Sequence, residues 1–162
     1  MLYPFQIGGK SHELEVKGCF FCHLLASLLL IAFGLIYLLS SEFMPYHAAA
    51  IGKSWTEVDP AFQILILALM KVTGGGFLAS AFAIVILLFK AFRRGQRWSF
   101  WAIPITALIV SLSSLYVTIN VALNTPASPP WMAAALGTIL VTVGFIFSIL
   151  PDAKAMQEER NS

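Results

Sequence analysis

Charged residues are scarce in this sequence. Lys and Arg number 10 and Asp and Glu 8 among 162 residues, so that 11% of the chain is charged, whereas an average soluble domain has roughly 25%. A chain with so few charged residues cannot cover its surface against water as a soluble domain does. The formal net charge of +2 does not indicate nucleic acid binding, because the basic residues are spread along the edges of apolar segments.

Apolar residues are abundant instead, at 59% of the chain, and they gather in four long runs. Each run reaches the ~20 residues that a helix needs to cross the hydrocarbon of a membrane, and the ~10-residue alternating segments of a membrane β-barrel are absent. The sequence therefore predicts an all-α fold, a bundle of four transmembrane helices that forms a single domain over residues 1–162. The predicted helices cover residues 20–40, 61–92, 99–123 and 131–150. Pro151 is expected to end the last of them.

The Lys and Arg residues outside the runs predict the orientation. Four spans place both termini and the 90–98 loop on one side, and that side has eight basic residues: Lys10, Lys17, Lys90, Arg93, Arg94, Arg97, Lys154 and Arg160. The other side has only Lys53. By the positive-inside rule the N- and C-termini are cytoplasmic, and we expect the inner membrane of a bacterium. We also expect the first run to be retained, because acidic residues precede it and no A-x-A cleavage motif follows it.

The outer connection between the first two helices has signals of regular structure. Residues 54–57 (SWTE) match a capping box, and Asp59 followed by Pro60 is typical of a helix start. Residues 61–69 are too apolar to stand in water, so either the second helix is strongly tilted or the 42–60 segment covers it. We expect the second arrangement.

Cys19, Cys22 and His23 form a C-x-x-C-H motif in the first helix. This spacing occurs where haem is attached covalently and in dithiol redox pairs, and with His12 it offers four ligands of the types that zinc or copper accept. The predicted orientation places the motif on the cytoplasmic side, where haem is not attached and thiols stay reduced. We therefore favour packing at the start of a helix, since cysteine behaves as a small hydrophobe. No cofactor is predicted, and neither a quinone nor a metal is excluded.

Polar residues near the outer side indicate a pocket. Lys71 lies within a span, where an ionisable residue is a functional candidate, although it can also reach the outer interface. Ser113 and three further polar residues of the third helix recur at spacings of three and four, which predicts one polar face turned to the protein interior. The alternative is hydrogen bonding between helices without a ligand. The predicted ligand-binding residues are Glu42, Tyr46, His47, Lys71, Tyr116, Asn120 and Asn124.

Small residues recur in the second and fourth helices at spacings that allow close packing. Such residues let membrane helices approach one another, so we expect these two helices to pack together. A hinge or an unwound turn beside Lys71 is the alternative. The predicted packing residues are Gly74, Gly75, Gly76, Ala79, Gly137 and Gly144.

Three segments support a resemblance over nearly the whole chain: MPYHAAAIGKSW, MKVTGGGFLA and FRRGQRWSFWAIP. With them, the chain resembles the small bacterial four-helix inner-membrane proteins that include the DoxX-like family. Some of these are small subunits associated with quinone-linked redox enzymes, so the resemblance implies an accessory role.

The sequence thus predicts a non-enzymatic multi-pass membrane protein that binds a ligand in an outward-facing polar pocket or acts as an accessory subunit. A membrane redox protein that uses Cys19 and Cys22 is the alternative. The expected partners are the lipid bilayer, a small or lipid-like ligand, and further copies of the chain or a larger membrane complex. Nucleic acid is not expected.

Overall fold

The computed structural model describes the backbone of residues 10–161 and, within that range, the side chains of Leu14 and of residues 16–149. This part of the chain is helical and contains no strand. The helices are α1 (Lys10–Leu39), α2 (Pro45–Ile51), α3 (Pro60–Lys90), α4 (Ser99–Asn124) and α5 (Trp131–Asn161). All except α2 are long and apolar enough to cross a membrane. The predictions of an all-helical fold and of four such helices are confirmed.

Two helices are longer than the apolar runs within them. α1 begins at Lys10, whereas the apolar run within it begins near residue 20. α5 continues to Asn161, whereas its apolar run ends at residue 150, so the prediction that Pro151 ends this helix is wrong. A proline removes one backbone hydrogen bond, and the backbone of α5 stays helical on both sides of it.

The connection between α1 and α3 is ordered by local hydrogen bonds. The carboxylate of Glu57 accepts from the backbone nitrogen and from the hydroxyl of Ser54, both at 2.7 Å, which stabilises a short 3₁₀ helix. The carboxylate of Asp59 accepts from the backbone nitrogen of Ala61 at 2.8 Å and so caps the start of α3. Both signals were visible in the sequence, and both predictions are confirmed.

α1 lies at the centre of the helix arrangement. It packs against α3 on one side and α5 on the other, and α4 packs mainly against α5. The contact between α3 and α4 is sparser. Their shared loop is short because it turns at Gly95, whose φ of 67° is a left-handed conformation that glycine adopts at little cost.

The predicted packing of α3 against α5 is wrong, because α1 separates the two helices. Gly74 packs on α1, where an added Cβ would lie 2.7 Å from the carbonyl oxygen of Gly34. Gly144 packs on His23 of α1. A row of small residues in a sequence predicts a close contact but does not identify the helix that makes it. An added Cβ would meet nothing within 4 Å at Gly75, Gly76 or Gly137, and Ala79 is exposed.

Two apolar clusters form the core. The larger joins the four long helices near the basic 90–98 loop and comprises Cys19, Ala26, Ile84, Leu88, Phe92, Ile103, Ala107 and Val141. In the smaller, Phe43 and Val58 of the connection pack against Met70 and Ile66 of α3. The connection thus covers one face of the start of α3, as predicted, while Ile64 on another face is 72% exposed.

Candidate ligand-binding cavity

A cavity of about 590 Å³ lies between the two apolar clusters. All four long helices contribute to its wall, and α2 closes the end nearest the connection. Both clusters reach its lining, through Ala26 and Val141 at one end and Phe43 and Met70 at the other. The lining also includes Phe33 and Tyr37 of α1, Tyr46 and His47 of α2, Thr73 and Phe77 of α3, Ser111, Ser114 and Thr118 of α4, and Gly137 of α5.

The cavity has a mouth between α3 and the second half of α4. The buried residues of α4 all lie between Ser99 and Ser111, so the later turns of this helix leave the core. Five residues both line the cavity and are exposed: Leu69 and Thr73 on α3, Ser113 and Val117 on α4, and Ile51 at the end of α2. The mouth therefore opens on the flank of the bundle, between two long apolar helices.

The polar groups of the cavity concentrate at the α2 end. The hydroxyls of Tyr37 and Tyr46 form a hydrogen bond with each other. The backbone nitrogen of Met44 donates to Nδ1 of His47 at 3.3 Å, and the rings of Tyr46 and His47 meet edge-on with centroids 4.2 Å apart. α2 holds Tyr46 and His47 together because Pro45 starts this short helix and Gly52, with φ of 66°, ends it.

The same environment shifts two pKa values. Burial lowers the pKa of His47 below its ordinary value of 6.5, because removal from water disfavours the charged imidazolium. Burial, followed by the hydrogen bond with Tyr37, raises the pKa of Tyr46 above its ordinary value of 10.0. Both side chains are therefore uncharged at neutral pH.

The remaining polar groups of the wall are hydroxyls that already donate within their own helices. Thr73 donates to Leu69 O, Ser111 to Leu108 O, Ser113 to Ile109 O, Ser114 to Val110 O and Thr118 to Ser114 O. The lining of the cavity includes no Asp, Glu, Lys or Arg. The wall thus has no charged side chain, and its hydroxyl hydrogens are used within the helices.

The structure brings two of the predicted ligand-binding residues, Tyr46 and His47, into this cavity. Glu42 is exposed and outside the lining. The inward orientation predicted for the polar face of α4 is wrong for three of its four residues: Tyr116 is 70% exposed, and Asn120 and Asn124 are exposed and hydrogen-bonded to each other. The fourth, Ser113, lines the cavity.

The inward face of α4 is marked instead by small hydroxyl residues. Ser111, Ser114 and Thr118 line the cavity and recur at spacings of three and four, as does the outward row. This spacing was a usable signal in the sequence, although larger polar residues at the same period obscured it. Tyr37 and Phe77 were missed because single aromatic residues in an apolar run carry no distinguishing pattern.

Lys71 caps α1 and lies outside the cavity lining. Its Nζ donates to the carbonyl oxygen of Leu38 at 2.9 Å and to that of Ser40 at 3.3 Å. These carbonyls lie at the C-terminal end of α1, where backbone acceptors lack helical partners and a cation is favoured.

The C-x-x-C-H motif packs into the core. Cys19 is 1% exposed and His23 is 0% exposed, so both side chains belong to the core. Nδ1 of His23 donates to the carbonyl oxygen of Cys19 at 2.9 Å, and Nε2 has no hydrogen-bond partner. Both Cys19 and Cys22 are free thiols.

Metal ligands do not cluster in the described part of the chain. Among residue 14 and residues 16–149, no three His, Cys, Asp or Glu side chains lie close enough together to hold a metal ion. The side chain of His12, the fourth ligand in the metal hypothesis, lies outside the described residues.

Fold and cavity together define a class. Residues 10–161 are all-helical and include four candidate transmembrane helices, which suggest a multi-pass membrane protein, and they enclose a mainly apolar cavity with a polar end. Comparison with protein-family models, with curated proteins and with solved structures found no match to this chain.

Proposed function

We propose that this protein is a non-enzymatic multi-pass protein of the bacterial inner membrane that binds an apolar, lipid-like ligand in its cavity. The observation that carries the proposal is the size and lining of the cavity. Its volume of about 590 Å³ lies within the range of ~300–1,000 Å³ of typical small-molecule sites. A wall without charged side chains favours the burial of an apolar ligand, which is driven by removal of its surface from water.

The position of the mouth supports entry from the bilayer. Within the most apolar window of each span, between 17% and 28% of the residues are buried, so most of the helix surface is left to face lipid. Leu69 and Val117, which flank the mouth, are 58% and 56% exposed. A ligand dissolved in the membrane would therefore reach the cavity sideways without crossing water.

The distribution of basic residues supports an orientation in which the α2 end of the cavity faces outward. The 90–98 loop has four basic residues, Lys90, Arg93, Arg94 and Arg97, and the α1–α3 connection has Lys53 alone. In this orientation the polar end of the cavity lies near the outer membrane–water interface. The resemblance to DoxX-like proteins, and the accessory role that it implies, stay predictions.

Photolabelling in lipid nanodiscs tests the proposal. A long-chain alkyl diazirine, which has no polar head, should label peptides of α3 and α4 that line the mouth. Gly137→Phe should reduce this labelling severalfold, because an added Cβ at Gly137 meets no atom within 4 Å and a phenyl ring at this lining position would take space from the ligand.

Gly75→Phe is the matched control. An added Cβ at Gly75 also meets nothing within 4 Å, but Gly75 is not part of the cavity lining. Labelling should stay at the level of the wild type in this variant. Equal labelling of wild type and Gly137→Phe, with both folded by size-exclusion chromatography, would overturn the proposal.

A further inference from the structure

We infer that the polar group of the ligand is an uncharged hydrogen-bond acceptor, such as the carbonyl of an ester, a ketone or a quinone, bound by His47 and by the Tyr37–Tyr46 pair. The inference rests on the proposed function and names the class of ligand for the same cavity. It follows from two hydrogen-bond donors at the polar end of the cavity that have no acceptor within the described residues.

His47 offers a donor of known identity. Because the backbone N–H of Met44 donates to Nδ1, Nδ1 is an acceptor and the ring hydrogen of the neutral imidazole is on Nε2. Within the described side chains this Nε2–H has no hydrogen-bond partner, and His47 lines the cavity. It is therefore available to an acceptor on a ligand.

The tyrosine pair offers a second donor. Each phenol has one hydrogen, and the bond between Tyr37 and Tyr46 uses one of the two. The other hydroxyl hydrogen stays available, and both residues line the cavity. Two donors thus meet at the polar end, whereas the hydroxyls along the wall have committed their hydrogens to backbone carbonyls.

Charged head groups fit this end poorly. A carboxylate or phosphate would need a cation, but no Lys or Arg is part of the lining and Lys71 is bound to Leu38 and Ser40. An ammonium group would need a carboxylate, and the lining has none. The aromatic rings would attract a quaternary ammonium, yet the hydrogens of His47 and of the tyrosine pair present positive dipole ends that repel it.

A series of compounds with the same alkyl chain tests the head group. Methyl dodecanoate, dodecanoate, dodecyltrimethylammonium and dodecane would each compete with the alkyl diazirine for labelling in nanodiscs. We expect methyl dodecanoate to compete at concentrations at least fivefold lower than the carboxylate or the ammonium. His47→Phe, and separately the double variant Tyr37→Phe/Tyr46→Phe, should weaken competition by the ester about fivefold and leave dodecane unchanged.

The comparison between compounds uses their concentrations in the membrane. The comparison between wild type and variant is made for one compound at a time, so differences in partitioning into lipid cancel in it. Tyr116→Phe is the control, since Tyr116 is exposed and outside the lining, and it should change nothing. The double tyrosine variant leaves the hydrogen bond from Met44 to His47 intact, so it keeps the test valid if His47→Phe fails to fold.

The outcomes separate the two proposals. If the carboxylate or the ammonium competes as well as the ester, or if both variants leave competition by the ester unchanged, the inference about the head group is overturned and apolar binding stands. If no compound competes, or if Gly137→Phe leaves labelling intact, the proposed function fails and the inference fails with it.

Discussion

At the residue scale, the position of the His23 ring leaves no room for a side chain at Gly144. His23 is fully buried between α1 and α5, and an added Cβ at Gly144 would lie 2.5 Å from its Nδ1. Real Cβ atoms essentially never approach so closely, and the imidazole is held by its hydrogen bond to the carbonyl oxygen of Cys19. The glycine is therefore required for space and not for backbone conformation.

Gly144→Ala should lower the free energy of unfolding by about 1–3 kcal/mol, the usual cost of overpacking a core. The same substitution should cost less in a His23→Ala background, because the ring that it meets is then absent. Denaturant titration in detergent micelles measures the four members of this cycle. Gly137→Ala is the control, as its Cβ meets nothing within 4 Å. If Gly144→Ala lowers the free energy of unfolding equally in both backgrounds, the contact with the His23 ring is not the reason for a glycine at position 144.

The sequence allowed only part of the cavity to be predicted, for a physical reason. Tyr46 and His47 stood out because they are polar residues in a short connection. The other polar candidates were chosen by residue type, but the part of a membrane helix that faces lipid near the interface also accepts Tyr and Asn. Whether a residue such as Tyr116 turns inward depends on the rotation of α4 about its own axis, which the packing of α4 against α5 and α3 determines.

At the scale of elements, Lys71 links α3 to the C-terminal end of α1. α1 ends at Leu39, and its last carbonyls lack helical partners, whereas α3 continues past this level toward the connection. The ammonium group of Lys71 bonds two of the carbonyls at that end, of Leu38 and Ser40. A residue that looked like an intramembrane functional group thus has a structural role that only the pairing of the two helices reveals.

Lys71→Met should lower the free energy of unfolding by about 0.3–1 kcal/mol, the usual contribution of a cation at a helix C-terminus. Lys71→Arg keeps the charge and the hydrogen-bond donors, so it should lower the free energy of unfolding by less. Lys53→Met controls for the removal of an exposed lysine. Thermal unfolding in detergent would compare the three variants, and equal melting of Lys71→Met and Lys53→Met would contradict a capping role.

The positions of the helices in the sequence were largely predictable, but which helices pack against each other was not. Composition marks a span because hydrocarbon requires about 20 apolar residues, and cap residues such as Asp59 mark a helix start. The central position of α1 has no such local signal. It depends on which small residues of two helices contact each other, as Gly34 and Gly74 do. Many small residues of this sequence could form such a contact.

For the whole molecule, the sparse contact between α3 and α4 is the main consequence of the helix order. With α1 packed against both α3 and α5, α4 makes most of its contacts with α5 and fewer with α3. α4 buries residues up to Ser111 and then leaves a gap that α2 closes at one end. The cavity is thus a product of the packing order and not of any single helix.

The orientation of the molecule decides which compartment the polar end of the cavity meets, and cysteine labelling tests it. In intact cells an impermeant maleimide should label a Lys53→Cys variant, because Lys53 lies in the α1–α3 connection on the side with few basic residues. Arg97→Cys, in the basic loop, should be labelled only after lysis. The wild type gives the background from Cys19, which is buried, and Cys22, which is half-buried. The reverse pattern would invert the orientation. It would also place Cys19 and Cys22 toward the oxidising side of the membrane, where a dithiol role becomes chemically reasonable.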